Sequence, residues 1–181
     1  MSKVQTDNSF LQDKIILRLK HLPKKDVINI LDCFSGDSKI WDEIKKNSDK
    51  EINVLKIEQK EKSGIYLKGD NIKFLISIDL KKFDVIDLDA YGIPYKQLNV
   101  ILKKANKDTV VYVTFIQSLF GVLPIKFLVS LGYSKKMIKK IPTLFFKNGF
   151  EKLKLYLANN GVKKIYSRSH ANKHYLAFKI S

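Results

Sequence analysis

Apolar residues along this chain alternate between a spacing typical of α-helices and short runs typical of buried β-strands. Between Ser9 and His21 they fall on one side of a helix, whereas Val27 to Leu31 is a short run that is apolar except for Asn29. The same alternation continues to the end of the chain. Helices are predicted at 9–21, 38–46, 71–77, 95–104, 124–131, 134–140 and 148–160, and strands at 27–31, 52–57, 83–88, 108–116, 162–167 and 174–180. Ser38 is the expected N-cap of the second helix, and Asn160-Gly161 is the expected end of the last.

The last two predicted strands are joined by a short polar segment with no helix. Antiparallel strands can be joined so briefly, whereas parallel strands need a longer crossover. The segments before them are successive βα units, which place parallel strands in one sheet with helices on both faces. The sequence therefore predicts an α/β fold with a doubly wound, mostly parallel, Rossmann-like sheet of about seven strands, closed by a C-terminal antiparallel hairpin.

The apolar stretch from Thr109 to Tyr133 is long enough to cross a bilayer, but its composition favours another structure. Its first part is β-branched and aromatic, as in a buried strand. Gly121 and Pro124 then break the run, and a helix can begin at the proline. We therefore expect a strand followed by a helix, and no membrane span.

The chain carries 34 Lys+Arg and 18 Asp+Glu, a formal net charge of +16, and nearly all of the positive charge is lysine. Such an excess attracts polyanions, so a nucleic acid is the expected partner. The alternative is a soluble protein covered with lysine through the codon bias of an A- and T-rich genome.

The length of 181 residues, without a repeat or linker, predicts one domain over residues 1–181. Its expected parts are a helical segment at 1–24, a half that carries the candidate site at 25–120, and a C-terminal half with the hairpin at 121–181. Cys33 is the single cysteine, so no intrachain disulfide can form, and the N-terminus lacks the layout of a signal peptide. A cytoplasmic location is therefore expected.

Ligands of such sheets bind beyond the carboxyl ends of the strands, so the residues that follow each strand are the candidates. The first strand runs into Asp32-Cys33-Phe34-Ser35-Gly36-Asp37-Ser38, a small-residue turn before a helix. Its backbone N–H groups suit an anionic or polar ligand. The segment is neither GxGxxG nor a Walker loop, and a plain tight turn is the alternative.

Acidic residues follow the next two units. Glu58 ends the second strand, where a carboxylate can accept hydrogen bonds from ribose hydroxyls, although it is also compatible with a solvated loop. Gly69-Asp70-Asn71 precedes a helix. Asp70 is therefore either an acceptor for an adenine amine or an N-cap without a ligand.

Two acids interrupt the apolar strand at 83–88. Asp87 and Asp89 are two positions apart, so their side chains point to the same side, and Tyr91 follows in a turn with Gly92 and Pro94. Buried charge at a strand end is costly without a partner. A carboxylate beside an aromatic ring can bind an exocyclic amine while the ring stacks on the base. A capped turn is the alternative.

These motifs resemble, in order and spacing over about residues 25–120, the class I S-adenosylmethionine-dependent methyltransferases. DCFSGDSKIW resembles the first motif, GDNIKFL resembles the adenine-contacting segment, and DVIDLDAYGIPY resembles the amino-methyltransferase motif, most closely that of tRNA guanine dimethyltransferases. Two residues depart from the pattern, Asp37 where glycine is common and Ala90 where proline is usual.

The resemblance implies S-adenosyl-L-methionine as cofactor and an exocyclic amino group, most readily of a tRNA or other nucleic-acid base, as acceptor. Asp89 would then accept a hydrogen bond from the target amine, and Tyr91 would stack on the base. The implied cofactor-binding residues are Asp32, Phe34, Ser35, Gly36, Glu58, Asp70 and Asn71. No metal is expected, because three histidines and one cysteine form no ligand cluster, and Cys33 has no neighbouring base to make it a nucleophile.

Lysines beside aromatic residues mark where a single-stranded or looped nucleic acid would lie, or else a solvated face. The expected nucleic-acid contacts are Lys135, Lys136, Lys139, Lys140, Lys163, Lys164 and Arg168. Two other functions fit the sequence: a degenerate binding module of the same fold, and a methyltransferase for a small-molecule or protein amine.

Overall fold

The computed structural model describes residues 10–60, 64–117, 123–145 and 147–181. One seven-stranded sheet runs through it in the order β3-β2-β1-β4-β5-β7-β6. Its strands are β1 Val27–Asp32, β2 Glu51–Glu58, β3 Leu67–Lys68, β4 Val85–Leu88, β5 Val110–Ile116, β6 Ile165–His170 and β7 Lys173–Lys179.

The strand directions confirm the predicted architecture. Strands β1 to β5 pair in parallel, and β7 pairs antiparallel with both β5 and β6. Strand β4 lies at the centre, and all four of its residues are buried, including the charged Asp87. The fold is therefore a Rossmann-like α/β sheet closed by a C-terminal hairpin.

Helices cover both faces of the sheet, because residues alternate between the two faces along each strand. The helices are α1 Leu11–Lys20, α2 Lys39–Lys46, α3 Asn71–Ser77, α4 Tyr95–Lys104, α5 Ile125–Ser130, α6 Lys135–Lys140 and α7 Gly149–Asn159. Helices α1 and α2 share one hydrophobic cluster with residues such as Ile30 and Tyr112. Helices α3 to α7 pack into the other cluster, on the opposite face, with residues such as Leu31 and Val111.

One sequence prediction holds only in position, and two need correction. Ser38 is the N-cap residue of α2, but its side chain makes no capping bond, since its backbone N–H donates to the Ser35 carbonyl at 2.7 Å and its φ is positive. The hairpin turn consists of Ala171 and Asn172 alone, because the polar residues before it belong to an edge strand that is partly exposed. The short β3 was missed, since two residues carry no periodicity.

Strand β5 and helix α5 confirm a strand and then a helix in the 109–133 stretch. Gly121, the predicted break between them, and Ser9, the predicted start of the first helix, lie outside the described residues. Within the described ranges, no helix is both long and apolar enough to span a bilayer.

Candidate functional site

The predicted turn after β1 is held against its neighbours by backbone hydrogen bonds. The Cys33 N–H donates to the Asp87 carbonyl at 3.0 Å, and the Ser35 N–H donates to the Ile57 carbonyl at 3.2 Å. Gly36 has φ +47°, in the left-handed region that glycine adopts at low cost. The ends of β1, β2 and β4 therefore meet at one edge, as the sequence predicted.

Glu58 shapes this edge with both of its carboxylate oxygens. Oε2 accepts the Gly36 N–H at 2.9 Å, and Oε1 accepts the N–H groups of Gln59 at 2.9 Å and Lys60 at 3.0 Å. Oε1 has both acceptor positions occupied, whereas Oε2 keeps one for a further donor. Glu58 is thus a built part of the site and not a glutamate in a solvated loop.

The Gly69-Asp70-Asn71 segment lies beside Glu58. Asp70 is the N-cap of α3 and accepts the Ile72 N–H at 2.9 Å. The Asn71 amide donates to the Cys33 carbonyl at 3.0 Å and accepts from Gln97 at 2.9 Å. These bonds tie the start of α3 to the β1 turn.

Two cavities open at this edge and share Phe34. One, of about 350 Å³, is lined by Cys33, Phe34, Ile57, Glu58, Gln59, Gly69, Asp70 and Asn71. The other, of about 510 Å³, is lined by Leu11, Asp32, Phe34, Ser35, Gly36, Asp37, Ser38, Lys39, Ile40, Asp87 and Asp89. All seven residues predicted to bind the cofactor therefore line one cavity or the other.

A cluster of buried charges forms the floor of the larger cavity. Asp32, Asp87 and Asp89 come from the sheet, and α1 inserts two cations between them. Arg18 binds Asp87 through two hydrogen bonds of 2.7 and 2.8 Å. The Lys14 ammonium donates to both carboxylate oxygens of Asp89 at 2.8 and 3.0 Å.

The charges of this cluster do not balance when every acid is ionised. Three carboxylates face two cations among the described residues, and Asp32 is the acid without a cation of its own: its Oδ1 accepts only the Phe34 N–H, at 3.2 Å. Burial, together with the charges of Asp87 and Asp89, raises the pKa of Asp32 well above its ordinary value. A further positive charge beside Asp32 would therefore stabilise its ionised form.

Asp89 has the opposite electrostatic balance. Burial alone would raise its pKa, but the positive charges of Arg18 and Lys14 and the hydrogen bonds from Lys14 and Thr114 outweigh burial, so the pKa is lowered. Asp89 is therefore ionised at neutral pH, where it can accept hydrogen bonds but is a weak base.

Sequence reasoning missed Lys14, Arg18 and Thr114 as members of the site. A signal was present, because Lys14 and Arg18 are one helical turn apart in α1 and share a side of the helix with Leu11. Both residues are buried, Arg18 at 1% exposure. Cations on two adjacent turns of a buried helix face need acidic partners on the elements packed against that face.

The position of α1 over the site is fixed by further contacts to the hairpin. Asp13 pairs with Arg168 and with His170, and the Phe10 ring stacks on the His170 ring with centroids 3.9 Å apart. Arg168, predicted as a nucleic-acid contact, is thus engaged within the protein. Its side chain is still 37% exposed.

The remaining predicted residues are distributed over three places. Tyr91 is 78% exposed at the rim of a third cavity, of about 350 Å³, which Asp89 and Lys14 also line. Lys163 and Lys164 are exposed at the start of β6, near the opposite edge of the sheet. The exposed lysines of α6 are Lys135, Lys136, Lys139 and Lys140.

Cys33 is buried, and its pKa is raised well above the ordinary value by burial and by the charges of Asp32 and Asp87. The thiol therefore stays protonated and is a poor nucleophile. Among the residues that the structure describes, no group of three or more histidine, cysteine or acidic side chains has an arrangement that could hold a metal ion.

Solved structures share this fold at low sequence identity. The Escherichia coli protein yhhF, assigned as a methyltransferase, has a TM-score of 0.57 at 12% identity, over 99% of this chain and 89% of that one. The ribosomal protein L11 methylase of Lactobacillus delbrueckii subsp. bulgaricus gives 0.58 at 16% identity, over 94% and 78%. Trm1 of Pyrococcus horikoshii, solved with S-adenosyl-L-methionine, gives 0.60 at 14% identity, over 93% and 54%.

No protein-family model matches the chain, and no curated protein matches it in sequence. At these identities the structural likeness defines the fold. The strand order and the antiparallel β7 are those of the class I S-adenosylmethionine-dependent methyltransferase fold, as the sequence resemblance predicted.

Proposed function

We propose that this protein is an S-adenosyl-L-methionine-dependent methyltransferase that acts on an exocyclic amino group of a nucleic-acid base, with RNA favoured over DNA. The observation that carries the proposal is the acid cluster under the β1 turn, in which no cation of the described residues pairs with Asp32. The proposal includes the single domain and the cytoplasmic location expected from the sequence.

The residues present fit this cofactor. Its α-ammonium would supply the positive charge that the Asp32 carboxylate lacks. Glu58 keeps one acceptor position, on Oε2, for a ribose hydroxyl, and the cavity between Phe34 and Asp70 would take the adenine. When bound, the cofactor supplies a methyl group on a positively charged sulfur, which needs no further activation. Asp37 also lines the larger cavity, and its charge would lie near the carboxylate of the cofactor.

The electrostatics of Asp89 favour a weakly basic acceptor amine. An alkyl amine is protonated at neutral pH and must lose a proton before it can attack a methyl group. Asp89, with its lowered pKa, is too weak a base for that step. An exocyclic amine of a base is already neutral, so Asp89 need only accept a hydrogen bond and orient the nitrogen.

The acceptor must share Asp89 with Lys14. Lys14 donates to both carboxylate oxygens and Thr114 donates to Oδ1, which leaves one acceptor position at Oδ2. Tyr91, two positions after Asp89 and mostly exposed, would stack on a base that approaches from solvent. A base in a duplex would first be flipped out.

The fold by itself does not select the acceptor, because the similar structures include a ribosomal protein methylase and a carbon methyltransferase. The net charge of +16 supports a polyanionic substrate. Isothermal titration with S-adenosyl-L-methionine tests the cofactor half of the proposal. Absence of heat, together with an unchanged melting temperature, would contradict it.

Replacement of Asp89 by alanine is expected to reduce methyl transfer to bulk tRNA at least about a hundredfold while cofactor binding is retained, since only the acceptor loses its orienting group. The measurement is transfer of labelled methyl groups beside calorimetry of the same sample. The double variant Lys14→Met/Asp89→Asn controls for the buried lysine that Asp89→Ala leaves without a partner. Unchanged transfer in a folded variant would remove Asp89 from the site.

Lys14→Met is expected to shift the acid limb of the pH profile of methyl transfer toward neutral pH. The Lys14 charge helps to lower the pKa of Asp89, so without it burial raises that pKa and the ionised form is lost at a higher pH as the solution is acidified. The measurement is kcat/KM against pH. Lys173→Met, which removes a lysine from the same cavity, is the matched control. An unmoved acid limb would show that Lys14 does not set the ionisation of Asp89.

A second candidate is a binding module of this fold without methyl transfer. The observation that favours it is the ion pair between Lys14 and Asp89, which already uses the carboxylate proposed to bind the acceptor. Nucleic-acid binding with a steep salt dependence, combined with no cofactor binding, would select this function.

A further inference from the structure

A large open groove lies at the end of the sheet where the parallel strands begin. The candidate site lies at the other end, beyond the carboxyl ends of those strands. It has a volume of about 1370 Å³ and runs past the starts of β5 and β6 and the end of β7. A groove that is open to solvent and passes three strand ends suits an extended ligand. No predicted cofactor-binding residue lines it.

The groove carries a concentrated positive charge. Six exposed lysines line it: Lys20, Lys24, Lys107, Lys163, Lys164 and Lys179. Among the described residues, only Lys179 has an acidic partner, the exposed Asp108 at 4.0 Å. Charges of one sign around a concave surface reinforce one another and attract a polyanion.

Aromatic rings stand among these lysines. The His21 and Tyr166 rings stack with centroids 4.0 Å apart, and the Lys164 ammonium lies 4.8 Å from the centre of the Tyr166 ring. Tyr166 remains 38% exposed. Burial and the charges of Lys20 and Lys164 lower the pKa of His21, which keeps this ring neutral near physiological pH. The pair thus offers a ring surface on which a base can stack.

We propose that this groove binds an unpaired segment of a nucleic-acid strand, with the lysines on its phosphates and a base against Tyr166. Cations that follow a backbone, interleaved with stacking rings, are typical of single-strand sites. A membrane surface would meet a convex or flat basic face, whereas this surface is concave. The inference rests on the proposed function, since it places part of the nucleic-acid substrate at the end of the sheet opposite to Asp89.

The test compares two double variants that each remove two adjacent exposed lysines. Lys163→Gln/Lys164→Gln alters the groove, and Lys81→Gln/Lys82→Gln alters an exposed pair just before β4 that does not line the groove. Binding of a fluorescent single-stranded RNA is followed by anisotropy at several salt concentrations. For the groove variant we expect binding roughly 25-fold weaker at 0.1 M salt and a salt slope smaller by about 1.4, since each lost phosphate contact removes about 0.7. The Lys81/Lys82 variant should change little.

Tyr166→Leu separates stacking from charge. It should weaken RNA binding at least about fivefold with an unchanged salt slope, because a stacked base releases no counterions. Equal losses in the two double variants would overturn the proposal in favour of a diffuse charge effect. Binding of the groove to anionic lipid vesicles without competition by RNA would overturn it as well.

Cofactor calorimetry on the same samples keeps the two proposals apart. If the groove variant loses RNA binding and the wild type binds no S-adenosyl-L-methionine, the groove is supported and the methyltransferase proposal fails. If the cofactor binds and the groove variant binds RNA as tightly as the wild type, the methyltransferase proposal stands and the groove proposal is overturned.

Discussion

Replacement of Arg18 by methionine is expected to lower the free energy of unfolding by about 3–5 kcal/mol, the usual effect of removing one partner from a buried ion pair. The Arg18 guanidinium binds both oxygens of Asp87, and the two side chains are 2% and 1% exposed. Methionine fills a similar length but leaves Asp87 beside Asp32 and Asp89 with no cation on it. Urea unfolding followed by circular dichroism measures the change.

The only other arginine of the chain supplies the control. Arg168 also links α1 to the sheet, through Asp13, but its side chain is 37% exposed, so Arg168→Met should cost no more than about 1 kcal/mol. Arg18→Met/Asp87→Leu, which removes the whole buried pair, should recover most of the lost stability. Similar costs for Arg18→Met and Arg168→Met would show that the buried cluster is not the dominant electrostatic feature.

Replacement of Asp32 by asparagine is expected to weaken binding of S-adenosyl-L-methionine about 30- to 150-fold, corresponding to about 2–3 kcal/mol for a hydrogen bond to a charged group. The same variant should be more stable than the wild type at neutral pH, with a melting temperature higher by a few degrees. Asparagine keeps an oxygen for the Phe34 N–H but removes a carboxyl whose ionisation is costly in the core.

The sign of the stability change follows from the raised pKa of Asp32. Between the ordinary value of 3.8 and its higher value in the folded protein, the folded state binds more protons than the unfolded state. The wild type therefore loses stability as the pH rises through this interval, and the Asp32→Asn variant lacks that loss. Melting temperatures of both proteins from pH 4 to 8 measure the difference.

Cofactor binding should also release a proton from Asp32, because the ammonium of the cofactor favours the ionised carboxylate. Calorimetry in buffers with different ionisation enthalpies detects this proton, and the Asp32→Asn variant should not release it. A variant that is less stable than the wild type and binds the cofactor equally well would contradict both the charge imbalance and the assignment of Asp32.

The predictions for Arg18 and Asp32 together describe a site whose buried charges lower the stability of the fold until a ligand binds. Arg18 and Lys14 compensate two of the three acids, and the third is left for an outside cation. Such a cost is common at functional sites, where stability is lower than the fold would permit.

Much of the candidate site could be predicted because its residues lie within a few positions of strand ends. Asp32, Glu58 and Asp89 each follow an apolar run that is visible in the sequence, and parallel strands bring those ends to one edge. The α1 contribution could not be predicted in this way. Lys14 is 75 positions from Asp89, and no local pattern shows which strand end a helix will cover.

The sequence by itself determined the order of helices and strands and the parallel sheet with its closing hairpin. It also determined that the candidate site lies at the carboxyl ends of the parallel strands. These features follow from apolar periodicity and from the short connection between the last two strands. Only the tertiary structure decided that Lys14 occupies Asp89, that Arg168 is paired within the protein, and that the groove lysines gather opposite the site. Ion pairing and charge concentration depend on distances between residues far apart in the chain, and those distances are fixed only when the sheet and helices pack.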